Sequence, residues 1–343
     1  MSPAQTLVDL LAGRCEPGEL PPRAWEGVIG VARAEAMLAT LAHRLEGASL
    51  PPSVAALFAD QRAAAKVATA QALWEAEMAR RALASECIEF VLLKGAAYAA
   101  AGLSCSAGRQ IGDLDILVLA ADIRRAENEL LEAGWEWVKS DPYDDHYYRA
   151  HMHELPPMIH KTRDRMIDVH HTILPRTHRI TPDALALVSD AVTTEGGFAV
   201  LCPADMTAHC AAHMLADGDL QGGLRNLWDF HCLTRDFAAA DAGFWGRLDA
   251  RAELHGLRAA VRRAARLARD LYGSALPPGW DEQVGGDAWY RRRLLARDDW
   301  GRPTDRWLEQ VFYIRSHWLR MPTMMLARHL WTKWRRRRHH FAG

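Results

Sequence analysis

The stretch RQIGDLDILV, residues 109–118, decides the fold that we expect for this chain. From residue 113 onward its even-numbered positions are apolar, whereas Asp113 and Asp115 occupy odd-numbered positions. This period of two is typical of a β-strand. Two carboxylates at positions i and i+2 of a strand point to the same side, so their oxygens can converge on a divalent cation. Mg²⁺ takes one or two carboxylates together with phosphate oxygens, and it is the ion that this pair predicts.

Residues around this strand favour a phosphate-binding site over an ordinary acidic surface. Gly112 leaves space for a ligand beside the backbone, and the guanidinium of Arg109 could counter phosphate charge. Upstream, the β-branched and aromatic run 88–93 predicts a buried strand that ends at Lys94-Gly95. That turn would lie near the same edge of the sheet. A D-x-D pattern is also common on exposed strands, so the pair alone does not establish a catalytic site.

A third carboxylate follows further along the chain. Asp168 interrupts the strand-like run 166–169, where a charged residue would otherwise be out of place. On a neighbouring strand it would complete a three-carboxylate site with Asp113 and Asp115. We expect such a site to hold Mg²⁺ or Mn²⁺, which would align the attacking oxygen and neutralise charge on the transferred phosphorus. His170, two residues later, would contact these ligands or the substrate.

Four segments together resemble a known family. They are LLKGAA at 92–97, the stretch 109–118, a helix that ends at Gly134, and IDVH at 167–170. The combination is similar to the uncharacterised nucleotidyltransferase family of the DNA polymerase β-like superfamily. This resemblance implies an α+β fold, in which a minimal nucleotidyltransferase mixed β-sheet core is flanked by N-terminal and C-terminal helical regions.

The resemblance also implies roles for the matching residues. Asp113 and Asp115 would be metal ligands, and Asp168 would be a third ligand or the general base. An NTP such as ATP would be the co-substrate, and the acceptor would carry its hydroxyl group on a saccharide, a peptide or another small molecule. The wider superfamily has G-[GS] at the turn after the first strand, whereas this chain has K-G-A and lacks the serine hydroxyl. We expect the phosphates to be held by Lys94, Gly95, Arg109 and Gly112.

Three functions are compatible with this pattern. The first is Mg²⁺-dependent transfer of a nucleotidyl group from an NTP to a hydroxyl. The second is phosphoryl transfer by a kinase-like phosphotransferase that uses the same metal site, because the altered turn leaves the nucleotide position open. The third is a nucleotide-binding or regulatory module without turnover. The complete set of three carboxylates argues against this third function. We therefore predict a nucleotidyltransferase.

Sequence periodicity divides the chain into three regions. They are a helical N-terminal region at 1–86, a nucleotidyltransferase α/β core at 87–180, and a helical C-terminal region with a basic tail at 181–343. The first region predicts two long helices, 23–45 and 54–84, separated by two prolines. In the core, residues 146–171 predict further strands. From residue 182 onward the sequence predicts only helices.

Histidines are concentrated in residues 143–178, which contain seven of them. Imidazole suits Zn²⁺, but the sequence has neither H-E-x-x-H nor the spacing of a zinc finger. We expect several of these rings to line the edge of the active site instead. A second pair, His209 and His213, lies at i and i+4 on a predicted helix. It favours a polar contact between helices over a metal site.

Composition predicts a cytoplasmic globular protein. The formal net charge is -1, and the six cysteines form no C-x-x-C pair, which indicates reduced thiols. The N-terminus does not resemble a secretory signal, and no run approaches the ~20 apolar residues needed to span a bilayer. Residues 311–340 combine aromatic side chains with a basic cluster, Lys333 and Arg335 to Arg338. This tail could contact the anionic inner membrane surface weakly, or pack on the body with a solvated end. It carries no strong nucleic-acid signal.

Overall fold

The computed structural model describes residues 2–138, 142–282 and 284–320. Within these ranges the chain has a mixed α/β fold with one seven-stranded sheet and fourteen α-helices. The strands are β1 (Val91–Leu92), β2 (Asp113–Leu117), β3 (Trp135–Trp137), β4 (Met158–His160), β5 (Met166–His170), β6 (Val192–Thr193) and β7 (Ala199–Val200). The predicted α+β class, a mixed sheet with helices before and after it, is confirmed.

The strands lie in the order β3-β4-β5-β2-β1-β7-β6 across the sheet. The central strand β2 is parallel to β5 and antiparallel to β1, and β7 runs parallel to β1. Antiparallel pairs add β3, β4 and β6. Every residue of β2 except Asp113 is buried. The start of β2 is therefore the point at which this strand reaches solvent.

Two parts of the core differ from the sequence prediction. Residues 146–151 belong to a helix, α7 (Pro142–His151), and not to a strand. A proline in the first turn suits a helix start, because its φ is already helical and its missing N–H is not needed there. Strands β6 and β7 lie beyond residue 182, where the sequence predicts only helices. Each strand has two residues, which is too short to show a period of two. They form a hairpin in which Thr194 N–H donates a hydrogen bond to the Phe198 carbonyl.

Four helices precede the sheet: α1 (Pro3–Leu11), α2 (Pro22–Ala34), α3 (Leu38–Arg44) and α4 (Pro52–Leu83). The sequence predicts α4 closely but joins α2 and α3 into one helix, which is wrong. The break comes at Ala36, whose φ of +55° is left-handed, so that Met37 N–H donates to the Ala32 carbonyl at 2.6 Å. This bond satisfies a carbonyl at the helix end. It also turns the Met37 side chain into the core.

The remaining helices lie between the strands and after the sheet. Two follow the first strands: α5 (Lys94–Ala100) and α6 (Ile123–Glu132). The others are α8 (Ala184–Ser189), α9 (Pro203–Ala212), α10 (Gly223–Ala240), α11 (Phe244–Leu254), α12 (Arg258–Tyr272), α13 (Asp287–Leu295) and α14 (Arg306–Arg320). A π-helical turn, His213–Asp217, continues α9.

One hydrophobic cluster includes residues from Ala4 in α1 to Phe312 in α14. The long helix α4 contacts β2, α5 and α6. Its Phe58 meets Trp25 of α2 edge-on, with ring centroids 5.9 Å apart. Burying an apolar side chain of this size contributes about 1.5–3 kcal/mol. The boundaries of the three regions stay a prediction, although helices before and after the sheet share this core.

Among the helices of the described ranges, none is long and apolar enough to cross a membrane. The last of them, α14, ends at Arg320. The predicted basic cluster, Lys333 and Arg335 to Arg338, lies outside the described residues.

Candidate active site

Parallel pairing of β2 with β5 brings the three predicted carboxylates together. In this register Asp115 lies opposite Asp168, and Asp113 lies opposite Met166. Because side chains two positions apart share a face of a strand, the three carboxylates point to one side of the sheet. One oxygen from each lies within 4.8 Å of the others. Around Mg²⁺, with bonds of about 2.1 Å, ligand oxygens lie about 3 to 4 Å apart, so small side-chain movements would let one ion contact all three.

Asp115 is the most enclosed of the three carboxylates and is already paired. Its Oδ1 accepts hydrogen bonds from Nζ of Lys94 at 2.6 Å and from Nε2 of His170 at 3.0 Å. An ionised carboxylate only accepts, so His170 carries a proton on Nε2. Burial opposes ionisation of Asp115. The Lys94 ammonium and the His170 hydrogen bond outweigh that effect and hold the pKa of this carboxyl well below its usual range.

Lys94 reaches Asp115 from an unusual backbone position. It is the first residue of α5, and its φ of +48° lies in the left-handed region. A residue with a side chain adopts this conformation at a cost of about 1–2 kcal/mol. Burial alone would lower the pKa of Lys94, but the Asp115 carboxylate raises it above its ordinary value. The turn therefore holds the charged Lys94 ammonium against the Asp115 carboxylate.

Asp168 lies in the opposite electrostatic environment. Burial, and then the carboxylates of Glu154 and Asp115, raise the pKa of Asp168 to about 7. Its Oδ1 is buried and has no hydrogen-bond partner among the described residues. A divalent cation would provide that partner and offset the repulsion between the carboxylates. The donor set thus fits a hard divalent cation.

Arg109, which the sequence predicts to bind phosphate, already has partners within the protein. Its guanidinium forms an ion pair with Asp229 of α10 and lies 5.3 Å from the ring centroid of Tyr98. Gly95 packs directly against it, since a Cβ atom at this glycine would lie 2.8 Å from Nε of Arg109. Arg109 therefore supports the turn that carries Lys94.

Gly112 lies beside open space. No atom of the described structure, apart from its own chain neighbours, lies within 4 Å of the position that a Cβ atom would occupy. The next residue is Asp113, the exposed first position of β2. This is the space beside the backbone that the predicted approach of a ligand requires.

Glu154, which sequence reasoning did not select, lies beside the carboxylate group. Its Oε2 is 3.5 Å from Nδ1 of His170 and 3.7 Å from Nε2 of His153. Burial, followed by the charges of His170 and Lys94, holds the pKa of His153 well below its usual value, so this ring is neutral. No period in the surrounding sequence marks Glu154. An antiparallel bridge to His170 places it here.

His209 and His213 approach Lys94 from α9 and the turn that follows it. Burial and the Lys94 charge lower the pKa of both rings, that of His213 to about 3. Nδ1 of His213 lies 3.5 Å from Nδ2 of Asn226 on α10, which agrees with the predicted contact between helices. Together with Lys94 these residues line a cavity of about 30 Å³, which has room for a water molecule.

The fold places three carboxylates on two parallel strands of a mixed sheet, with a lysine at the turn after the first strand. Such a group of oxygen donors could hold a divalent cation. The sequence profile of a family described as an uncharacterised nucleotidyltransferase matches residues 21–273, and the chain belongs to that family. Among curated proteins, no sequence matches the chain. The family thus supports nucleotidyl transfer and leaves the substrate and acceptor to be proposed.

Proposed function

We propose that this protein is a Mg²⁺-dependent enzyme that transfers a nucleotidyl group from an NTP to an acceptor hydroxyl. The group of Asp113, Asp115 and Asp168 carries the proposal, because their oxygens lie within 4.8 Å of one another on two parallel strands. Carboxylates this close repel one another unless a cation or a proton lies between them. Family membership supports the reaction class.

Each carboxylate has its own role in the proposal. Asp113, exposed at the start of β2, and Asp168, with its unpartnered Oδ1, would hold the cation. Asp115 would add the oxygen that Lys94 and His170 do not occupy. Mg²⁺, or Mn²⁺ in its place, would neutralise charge at the phosphorus when bound to these carboxylates. Asp168 is also the candidate general base for the acceptor hydroxyl.

Phosphate binding is proposed for the turn at Lys94. Once a cation offsets the charge of the buried carboxylate, the Lys94 ammonium can turn toward the nucleotide phosphates, which it binds as a point charge. Gly112 provides open space beside the carboxylate group. For Arg109 and Gly95 the proposal is positional, because the guanidinium that pairs with Asp229 packs against Gly95 and holds the turn.

A cavity of about 580 Å³ lies next to the site, and we propose that the acceptor binds there. Glu154 lines this cavity and also contacts His170, which connects the cavity to the carboxylates. The volume suits a small saccharide or part of a peptide. Arg124 and Arg176 also line it and would favour an anionic acceptor.

Arg124→Ala and Arg176→Ala should each raise KM for any acceptor that supports turnover. An unchanged KM in both variants would show that the acceptor does not bind in this cavity.

Labelled nucleotides separate the two transfer reactions. We expect the wild-type protein, supplied with Mg²⁺ and a panel of saccharide and peptide acceptors, to transfer label from α-³²P-labelled NTPs and to release pyrophosphate. Transfer from γ-³²P-labelled NTPs alone would instead identify a phosphotransferase. The two labels therefore decide which phosphorus is attacked.

Carboxylate variants test the metal site itself. Asp113→Asn and Asp168→Asn should abolish transfer and weaken Mg²⁺-dependent NTP binding, because each removes a charged oxygen ligand. Asp60→Asn changes an exposed carboxylate on α4 and should behave like the wild type. If the wild type and Asp113→Asn bind NTP–Mg²⁺ equally and neither turns over, the enzyme proposal fails and a regulatory nucleotide-binding module replaces it.

We also propose a weak contact between the C-terminal region and an anionic membrane. Helix α14 exposes an apolar stripe formed by Trp307, Val311, Ile314 and Trp318. The sequence continues into the basic residues between 333 and 338. An apolar face with basic residues nearby suits the surface of an anionic bilayer. The six free cysteines support a cytoplasmic location, on the inner face of the membrane.

Flotation with vesicles of phosphatidylglycerol and phosphatidylethanolamine tests this contact. The wild type should float at low salt, whereas a truncation after Arg320 and the variant Trp307→Glu should not. Leu185→Glu changes an exposed apolar residue on α8 and is the matched control. Equal flotation of all these proteins would contradict the membrane contact.

A further inference from the structure

Next to the proposed Mg²⁺ site lies a second group of potential ligands with different chemistry. His153, Glu154 and His170 each offer one donor atom, and the three atoms lie within 4.8 Å of one another. Nδ1 of His170 is 3.5 Å, and Nε2 of His153 is 3.7 Å, from the same Oε2 atom of Glu154. Two imidazoles and a carboxylate form a donor set that suits zinc and related transition metals.

Backbone pairing holds this group in place. Glu154 and His170 form an antiparallel bridge. Beside it, His171 N–H donates to the carbonyl of His153 at 2.9 Å. His170 is also the last residue of β5, and its carbonyl accepts a hydrogen bond from Val118 N–H at 2.9 Å. Hydrogen bonds of the sheet and its edge therefore position the donors before any ion binds.

The hydrogen bond from one nitrogen of His170 turns the other nitrogen toward a carboxylate. Because Nε2–H of His170 donates to Asp115, Nδ1 is the ring nitrogen that a metal ion could bind. Nδ1 faces Oε2 of Glu154 at 3.5 Å, a separation that a metal ion bound to both atoms would match. The His170 side chain is 2% exposed, and its Nδ1 has no hydrogen-bond partner among the described residues. This buried nitrogen requires a partner.

We propose that His153, Glu154 and His170 bind a transition-metal ion of the Zn²⁺ class, at a site separate from the carboxylates that would hold Mg²⁺. With bonds of about 2.1 Å, the ligands of a tetrahedral zinc ion lie about 3.4 Å apart. The observed separations of 3.5 and 3.7 Å are close to that value. Three protein ligands leave a fourth position for water or a substrate group, as in open zinc sites. The inference does not depend on nucleotidyl transfer.

His170 would link the two sites. A metal-bound imidazole usually donates its other N–H to a carboxylate, which orients the ring and fixes its proton. Here that carboxylate is Asp115. An ion at this position would also neutralise Glu154, whose charge acts on Asp168. The transition-metal ion would thus orient Asp115 through the His170 ring.

Metal titration of the full-length protein tests the proposal without any nucleotide. After chelator treatment, one equivalent of Co²⁺ should produce the visible absorption of low-coordinate cobalt; Zn²⁺ should displace it and excess Mg²⁺ should not. Glu154→Gln and His153→Ala should each lower the affinity for Co²⁺ and Zn²⁺ about 100-fold or more, because each removes a direct ligand. Loss of a residue that only hydrogen-bonds to a ligand already lowers metal affinity about 10–100-fold. His171→Gln removes a neighbouring imidazole outside the group, and should bind these ions like the wild type.

Two further measurements keep the outcome decisive. Circular dichroism and thermal melting show whether each variant folds, and Glu154→Gln, which keeps the side-chain size, decides the case if His153→Ala does not fold. A wild type that takes up no stoichiometric Co²⁺ overturns the proposal, because a proton then lies between His170 and Glu154. The proposal is also overturned if Asp113→Asn abolishes Co²⁺ binding and Glu154→Gln leaves it intact. The ion would then be bound by the three carboxylates. Neither result depends on whether the protein transfers nucleotidyl groups.

Discussion

One oxygen of Asp115 accepts hydrogen bonds from both Lys94 and His170, and only 5% of the Asp115 side chain is exposed. A buried ion pair of this kind adds little net stability, because desolvation of the two charges cancels most of their attraction. Loss of one partner is costly, however, since the other charge stays buried. Lys94 therefore offsets the negative charge of the buried Asp115 carboxylate.

Lys94→Met should lower the free energy of unfolding by about 3 kcal/mol in the absence of divalent ions. The loss should be smaller with Mg²⁺, because a bound cation replaces the ammonium as the partner of Asp115. Chemical denaturation in both conditions measures the two values. Lys66→Met, at an exposed position of α4, is the control and should change little. An equal loss with and without Mg²⁺ would argue against a cation at Asp115.

Arg109→Lys separates a positional role from direct phosphate contact. Lysine keeps the charge but cannot reproduce the fork of guanidinium donors that faces Asp229. If Arg109 holds the turn, the variant should lose about 1–3 kcal/mol of stability, and calorimetric titration should show nearly unchanged NTP affinity. Asp229→Asn should produce the same pattern from the other partner. A large loss of affinity at an unchanged melting temperature would show that Arg109 contacts phosphate.

The loop between α5 and β2 connects the site to the N-terminal helices. At Gly108 the φ is +69°, and a Cβ atom would lie 2.3 Å from the carbonyl oxygen of Ala39. Next to this contact, Oγ1 of Thr40 donates to the Gly108 carbonyl at 3.2 Å. The loop thus leads into β2 from a point that is tied to α3, and a glycine is required there for both space and backbone conformation.

Gly108→Ala should destabilise the protein more than Gly102→Ala. Both positions are left-handed, with φ of +69° and +62°, so alanine costs about 1 kcal/mol at each. Gly102 has no atom of the described structure within 4 Å of its Cβ position, whereas Gly108 meets backbone. Urea denaturation should show a further loss of about 1–3 kcal/mol for Gly108→Ala. Equal losses would mean that α3 moves away from the loop without cost.

A buried ion pair joins the first and last thirds of the described chain. Oε1 of Glu35, at the end of α2, accepts a hydrogen bond from Nη2 of Arg297 at 2.9 Å. Oε2 of Glu35 accepts from the backbone N–H of Leu224 in α10 at 3.1 Å. The two charged side chains are 2% and 3% exposed. Helices before and after the sheet therefore share a polar centre as well as an apolar core, which favours unfolding in one step.

Glu35→Ala should lower the free energy of unfolding by about 3–5 kcal/mol, because Arg297 stays buried without its carboxylate partner. Glu77→Ala, on the surface of α4 beside Arg80 and Arg81, should cost less than about 1 kcal/mol. Scanning calorimetry measures both losses and should show one transition for each protein. Two separate transitions in the wild type would contradict a single cooperative unit.

Local features of the chain were enough to predict a large part of this molecule. The alternation around Asp113 and Asp115 predicts β2, and the face that these residues share follows from strand geometry alone. The long run of apolar residues at helical spacing predicts α4 closely. Where the local signal is short, the prediction fails: β6 and β7 have two residues each, and Ala36 ends α2 without the glycine that usually marks such a break.

Contacts between segments that are distant in the sequence could not be predicted from local features. The register that sets Asp168 opposite Asp115 arises when β5 pairs with β2. The pairing of Arg109 with Asp229 spans 120 residues. Glu154 joins the site because a bridge forms beside His170, and nothing in its own segment indicates this. The chain's periods and motif residues thus specify strands, helices and the chemistry of the carboxylates. Which side chains meet depends on strand register and on burial of the whole core, and no local period contains that information.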